Sequence, residues 1–209
     1  MLSYVSGAVR ASLVTFVLCG FAYPLAVTGV GQAVMSYQAN GSLEKTADGQ
    51  ILGSRLIGQL WTDPQWFHGR PSVTQTQDPA HPDDPSKTID APYNAANTVA
   101  SNLGPTSKAL SDRLTADRKT FDEARPDMAG KALPSDVLTS SASGLDPDIT
   151  PANAALQVQR VAQARGAPPD QVAALVAQQT TSRSLGIFGE PRVNVLELNL
   201  ALEQAFPKK

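Results

Sequence analysis

Between Arg10 and Glu44 the chain runs for 33 consecutive residues without an Asp, Glu, Lys or Arg. A bilayer core takes roughly 20 predominantly apolar residues in a helix, and the stretch from Ala11 to Val34 supplies them. The rival is a cleaved secretory signal, whose apolar region runs about 7–15 residues. Leu13 to Ala26 has that length, and Gly31-Gln32-Ala33 has the small-x-small form of a cleavage site. The apolar pattern nevertheless continues through Leu25, Val27 and Val30 without a polar break, and Arg10 is a single flanking charge. The stretch is therefore read as an uncleaved anchor.

Orientation has a weaker signal. Arg10 precedes the span and Lys45 follows it, so the basic residues near the two ends balance. A short N-terminal tail with a translocated domain is the usual arrangement for such an anchor and is adopted. The only cysteine, Cys19, lies inside the span, so no disulfide can hold the rest of the chain and an ordinary core must do so. Leu18 is bulky where a lipoprotein signal would place a small residue before the cysteine. Within the span, Ala22, Ala26, Gly29 and Ala33 recur at helical spacing. Helices in hydrocarbon associate through small residues that let backbones approach, so this stripe is a candidate partner face. Small residues are also common in membrane helices generally, and the spacing leaves both readings open. Pro24 removes one backbone donor and is expected to kink or weaken the helix.

The expected organisation is an N-terminal tail over 1–10, a transmembrane helix over 11–34, a linker over 35–49 and one extracytoplasmic domain over 50–209. Residues 1–43 hold one basic and no acidic residue, so 16 Lys+Arg face 19 Asp+Glu in the remainder. That balance provides no basic stripe for nucleic acid and no polybasic segment for anionic lipid. Gln50 to Leu60 reads as a strand with a glycine turn or bulge. Seven prolines between Pro64 and Pro105 exclude long regular elements there, and Asp78 to Pro92 reads as a surface loop. Thr106 to Glu123 has helical periodicity, and Val137 to Thr139 is expected as a short strand. Thr150 is a good N-cap with Pro151 at the first helical position and Gly166 after the last, followed by a helix from Pro169 to about Thr180. The segment from Pro191 to Phe206 alternates like a strand around Leu196-Glu197-Leu198, yet Val195, Leu198, Leu202 and Phe206 keep helical spacing, and helix is chosen. Short strands with segregated helices give an α+β domain behind one membrane helix.

Catalytic signatures are missing from the sequence. Gly130-Lys131 is followed by Ala132 and has Arg125 where a P-loop needs its first glycine. There is no Asp-Lys-Thr-Gly of the kind used for an aspartyl phosphate, and Lys87-Thr88-Ile89-Asp90 has related residues in the wrong order. No G-x-S-x-G elbow occurs, and His68 beside Ser72 says nothing, because triads assemble in space. His81 among Asp78, Asp83 and Asp84 matches no metal-loop spacing and is read as a solvated loop. The cluster from Trp61 to Ser72 holds both tryptophans, Phe67 and Arg70. Aromatics and Arg dominate protein–protein hot spots, but in a small domain such rings are foremost core. Arg70, between Gly69 and Pro71, is expected to bond a carboxylate or backbone carbonyls.

The chain resembles the C subunits of the Kdp-type potassium-transporting P-type ATPases of bacteria and archaea. The resemblance begins with Tyr23-Pro24-Leu25-Ala26-Val27-Thr28-Gly29 and Gln38-Ala39-Asn40-Gly41-Ser42. It continues through Gly53-Ser54-Arg55-Leu56-Ile57-Gly58-Gln59, Phe67-His68-Gly69-Arg70-Pro71-Ser72, Tyr93-Asn94 and Ser101-Asn102-Leu103-Gly104-Pro105. It closes with Ser143-Gly144-Leu145-Asp146-Pro147, Gln157-Val158-Gln159-Arg160-Val161-Ala162 and Gly189-Glu190-Pro191-Arg192-Val193-Asn194-Val195-Leu196, then Leu198-Asn199. Met35-Ser36 stands where Phe-Pro is frequent in the family, and Trp66 where Tyr is usual.

This resemblance implies a non-catalytic, single-span subunit of the bacterial inner membrane, needed for assembly and activity of a potassium uptake complex. Its implied partners are a potassium-selecting membrane subunit and an ATP-hydrolysing P-type subunit, together with membrane lipid and without nucleic acid. ATP and Mg enter only through the pump subunit, and this chain binds no cofactor by a motif of its own. The family is also described as a catalytic chaperone that raises the pump subunit's ATP affinity, which no residue here explains. On this reading Ala22, Ala26, Gly29 and Ala33 are candidate contacts in the membrane. Arg70, Asn94, Asn102 and Arg192 either organise loops of the domain or contact partner loops. A tethered extracytoplasmic hydrolase or binding module is the alternative class.

Overall fold

The computed structural model describes residues 2–46 and 48–207. The chain divides into two compact units, Met1–Ser54 and Arg55–Lys209. The first unit opens with helix α1 (Leu2–Val17), a π-helical turn (Leu18–Ala22) and helix α2 (Tyr23–Val34). Tyr4–Val34 is one continuous helical run of 31 residues, long and apolar enough to cross a membrane. Its helical structure begins at Leu2, so residues read as an N-terminal tail are part of the helix. The π turn has a local cause. Pro24 brings no N–H and its ring crowds the carbonyl four residues back. Widening the turn just before it, with the Tyr23 N–H donating to the Leu18 carbonyl, accommodates that ring without breaking the rod.

The helix stops at Met35, and a single turn, α3 (Ser36–Ala39), follows. The Asn40 side chain donates to the Ser36 carbonyl at 2.6 Å and to Gln32 Oε1 at 3.0 Å, which folds the exit against the helix end. Strands β1 (Leu43–Lys45) and β2 (Ile51–Ser54) then pair antiparallel with a bulge between Glu44 and Lys45. The segment expected as a linker thus carries α3 and β1. The strand expected from Gln50 to Leu60 ends at Ser54.

The second unit has its core where helices α5 (Pro151–Arg165), α6 (Pro169–Gln178) and α7 (Val195–Ala205) meet a small sheet. That sheet has the order β5 (Asp148–Ile149), β7 (Arg192–Asn194), β6 (Thr180–Thr181), all antiparallel, with Val193 opposite both Ile149 and Thr180. Val161, Val172, Val193, Leu198 and Leu202 are fully buried there. Helix α5 begins where local chemistry dictates. The Thr150 side chain accepts from the Asn153 N–H at 3.1 Å, Pro151 opens the first turn, and Gly166 ends it at φ 63°.

Three expectations need correction. Residues 137–139 are not a strand: Ser135–Val137 is a 3-10 turn, and the reason is Asp136. Its buried carboxylate accepts from the Thr150 N–H at 2.7 Å, the Thr150 hydroxyl at 3.0 Å and Asn153 Nδ2 at 3.1 Å, a second cap on α5. The last helix starts after Asn194, not at Pro191. The Asn194 side chain accepts from the Glu197 N–H at 3.1 Å, while Arg192–Asn194 pairs with strands on both sides. The loop expected from Asp78 to Pro92 contains strand β4 (Thr88–Asp90), which pairs with β3 (Gln75–Gln77). Helix α4 (Lys108–Ala124) lies where its periodicity placed it.

One polar device carries the aromatic segment into this core. Asn199 on α7, 0% exposed, accepts from the Phe67 N–H at 2.8 Å and donates to the Phe67 carbonyl at 3.0 Å. Gln157 on α5 does the same to the next residue, accepting from the His68 N–H at 2.8 Å and donating to its carbonyl at 3.0 Å. Two side-chain amides thus replace the ladder a neighbouring strand would provide, and Phe67 is buried completely between them. Asn199→Ala is expected to lower stability by about 2–4 kcal/mol, because both Phe67 backbone groups lose their partner in a site water cannot enter. Urea unfolding of the full chain in detergent, followed by tryptophan emission, checks this.

Candidate partner-contact surfaces

Ala22 closes the π turn, and Ala26, Gly29 and Ala33 lie on α2. Spacings of four, three and four put all four residues on one face of a helix. All four are exposed, and a Cβ built on Gly29 would meet nothing within 4 Å. Within its own unit the stripe therefore has no packing partner.

The polar candidates of the second unit differ in kind. Arg70 works inside the unit. Its Nη1 meets Asp146 Oδ2 at 2.9 Å, and its Nη2 donates to the carbonyls of Thr139 and Ser140 at 3.3 Å. Around it, the Tyr93 hydroxyl donates to the Arg70 carbonyl at 2.7 Å, and Ser72 donates to the Gly144 carbonyl at 2.7 Å. Burial, with the Asp146 charge adding to it, pushes the Tyr93 phenol up to about 12. The ring lies against Gly58, where a Cβ would come within 2.5 Å of Tyr93 Cε1 and 2.6 Å of the Asp146 carbonyl. Asn94 donates to the Gln75 carbonyl at 2.8 Å and accepts from the Ala96 N–H at 3.1 Å, closing a turn. Arg192 bridges from β7 to Asp148 on β5 at 3.0 Å. Burial nevertheless pushes the Asp148 carboxyl up, outweighing the bond from Asn194 and the charge of Arg192. Asn102 is exposed in the left-handed region at φ 52°, which Asn tolerates.

Trp61 and Trp66 both pack against the core, their ring centroids 5.1 Å apart. Arg165, with a side chain 1% exposed, lies 4.1 Å over the Trp66 ring and pairs with Glu203. His81 meets Asp78 at 2.8 Å. Among the described residues no three His, Cys, Asp or Glu side chains converge as a metal site would require.

The most exposed apolar group in the second unit is one that periodicity does not reveal. Ser184 and Phe188 form a tight antiparallel bridge, at 2.8 and 2.9 Å, that throws Leu185, Ile187 and Phe188 outward at 88%, 71% and 64% exposure. Leu185 is left-handed at φ 53°, an uncommon conformation for a branched residue. Its signal in the sequence is compact: Leu185-Gly186-Ile187-Phe188 is apolar between the paired charges Arg183 and Glu190. Contiguous exposed apolar groups of this kind are a marker of interaction sites.

A helix long and apolar enough to cross a membrane, followed by an α+β unit whose polar clusters serve mainly to hold its own loops, defines the class of protein. Residues 5–204 match the family model for KdpC, described as "K+-transporting ATPase, c chain". The chain is 51% identical over 208 residues to the potassium-transporting ATPase KdpC subunit of Rhodopseudomonas palustris, covering 100% of both chains. It is equally similar, over the same extent, to that of Bradyrhizobium diazoefficiens. To that of Methylorubrum extorquens it is 53% identical over 185 residues, 88% of this chain and 89% of the other. The chain belongs to the KdpC family.

Two outcomes are expected from the geometry. Gly58→Ala drives a methyl into the Tyr93 ring and the Asp146 carbonyl, and is expected to destabilise by about 1–3 kcal/mol; a thermal melt against wild type measures it. His68 is held below its ordinary value of 6.5, chiefly by burial, with a backbone bond to Asp63 opposing and the Arg160 charge assisting. The unfolded chain therefore takes up this proton first, so the stability this group contributes is whole above pH 6.5 and declines as pH falls below it. A His68→Gln chain should show a flatter fall of melting temperature across that interval.

Proposed function

We propose that this chain is the non-catalytic accessory subunit of an ATP-driven, high-affinity potassium uptake complex, needed to assemble and stabilise it. The observation that carries the reading is the KdpC family match over residues 5–204, with relatives named as potassium-transporting ATPase subunits. Its partners are the potassium-selecting membrane subunit and the ATP-hydrolysing P-type subunit, and ATP and Mg are handled by the latter. The small-residue face of Ala22, Ala26, Gly29 and Ala33 packs against a partner helix, since close backbone approach is what associates helices in hydrocarbon. The span lies in the inner membrane with the larger unit outside, where the Leu185–Phe188 tip seats on partner loops. By family resemblance the subunit also raises the pump's affinity for ATP. It does so through contact with its partners, without a nucleotide site of its own.

A tagged chain from detergent-solubilised membranes of potassium-starved cells should recover two larger membrane proteins with potassium-stimulated ATPase activity. Recovery of the chain alone from cells expressing both partners would refute the reading. Replacing both Ala26 and Gly29 by Leu, or Leu185, Ile187 and Phe188 together by Ser, is expected to cut co-purification severalfold while leaving the melting temperature of the isolated chain within a few degrees. For sidedness, a cysteine placed at the exposed Ser86 should react with a membrane-impermeant maleimide in intact spheroplasts. Protection until lysis would place the domain inside.

A further inference from the structure

Two of the stretches that carry the family resemblance, 67–72 and 157–162, face a common cavity of about 440 Å3 closed on its third side by the end of α4. Its volume is at the small end of the range for sites that enclose small molecules. Phe121, Val137 and Leu156 give it apolar walls, while His68, Arg70, Arg125 and Arg160 give it polar ones. Among the described residues that line it there is no Asp or Glu.

The charges there do not balance. Arg70 is paired with Asp146 at 2.9 Å, and Arg125 with Asp127 at 2.9 Å. Arg160 has only neutral acceptors: the carbonyls of Pro64 at 2.6 Å and Trp66 at 2.9 Å, and Gln157 Oε1 at 2.6 Å; His68 Nε2 lies 3.4 Å away but donates to the Asp63 carbonyl at 3.0 Å. Among the described residues of the second unit, every other arginine meets a carboxylate. Even Arg165, which also ties the same loop to α5 through the Gln65 carbonyl, has Glu203. Holding a loop in place therefore does not require an unpaired cation in this fold. Burial and the neighbouring Arg125 bring the Arg160 guanidinium down to about 10, the mark of a charge short of a counter-ion. His68, held toward its neutral form by burial, adds no second charge.

We propose that this cavity is a binding site for the carboxylate of a small organic acid, whose apolar body packs between Phe121, Val137 and Leu156. One unbalanced cation calls for a monoanion. Arg160 Nε and Arg125 Nη1 have no protein acceptor among the bonds of those side chains, so each keeps an N–H for an acceptor from outside, and a carboxylate is a strong one. The apolar walls favour an organic anion over chloride, and a dianionic phosphate would leave the excess charge reversed.

The test uses the full chain purified in detergent, without partner subunits, so that its result is separate from that of co-purification. Titration calorimetry with sodium phenylacetate, in constant chloride, should give saturable binding. Phenylacetamide, the neutral analogue, should bind at least about tenfold more weakly, as expected for loss of a charged hydrogen-bond pair. Arg160→Gln should lower phenylacetate affinity by about tenfold or more. Because Arg160 also holds backbone carbonyls, Leu156→Trp serves as a second variant: it fills the cavity, leaves every hydrogen bond of the site in place, and should abolish binding. Absence of saturable heat up to about 10 mM probe, equal binding of the amide, or affinity unchanged in Leu156→Trp would each overturn the proposal. Phenyl phosphate binding more tightly than phenylacetate would overturn the assignment to a carboxylate.

Discussion

The second unit depends on two amides. Between Pro64 and Pro71 the chain joins no strand ladder of the kind that normally satisfies buried backbone, yet Phe67 is fully buried in the core. Asn199 and Gln157, each presenting a donor and an acceptor to one residue's backbone, resolve that conflict. They fix an extended segment against two helices. Arg70 comes three residues after Phe67 and gathers the 139–146 loop, and Ser72 and Tyr93 gather the 91–94 turn and Gly144. The loops are ordered in sequence from the clamp outward, each by polar contacts to backbone.

The same arrangement explains where arginine is used. With no disulfide and a modest core, the unit ties its elements together with guanidinium groups, which span two or three acceptors at once. Arg165 joins α5 to α7 through Glu203 and the Phe206 carbonyl, and Arg118 joins α4 to the turn beyond it. Each of these has a carboxylate close by that offsets part of the cost of burying the charge. Arg160 departs from that pattern, and its departure coincides with the apolar-walled cavity bordered by the clamped segment.

Legible in the sequence is whatever is decided locally. The start and stop of α5 come from Thr150, Pro151 and Gly166, which act over one turn, and α4 from its own periodicity. The charge-free run marks the long apolar helix for the same reason. Local preference misleads where distant partners override it. Val137 has strand character, but Asp136 is needed 14 residues away at the head of α5. Pro191 suits a helix start, but Val193 is held between two strands and Asn194 caps instead. The clamp itself is illegible, because Asn199 lies 132 residues from Phe67 and nothing in either neighbourhood announces the other. For Arg70 the kind of partner can be anticipated from its rigid setting, though Asp146 and Thr139 cannot. The Leu185–Phe188 tip escapes such a reading because three apolar residues in a turn have no period.

The widened turn at Leu18–Ala22 divides the long apolar helix into two azimuthal frames. One extra residue in a turn rotates the N-terminal half by about 100° relative to the C-terminal half. A single helical wheel drawn from Tyr4 to Val34 would therefore misassign the faces of half the span. The small-residue face begins at Ala22, the last residue of the widened turn, and runs from there along the C-terminal half. The outward direction of Leu13 or Phe16 is thus set independently of it, and a neighbour gripping one half is not obliged to track the other.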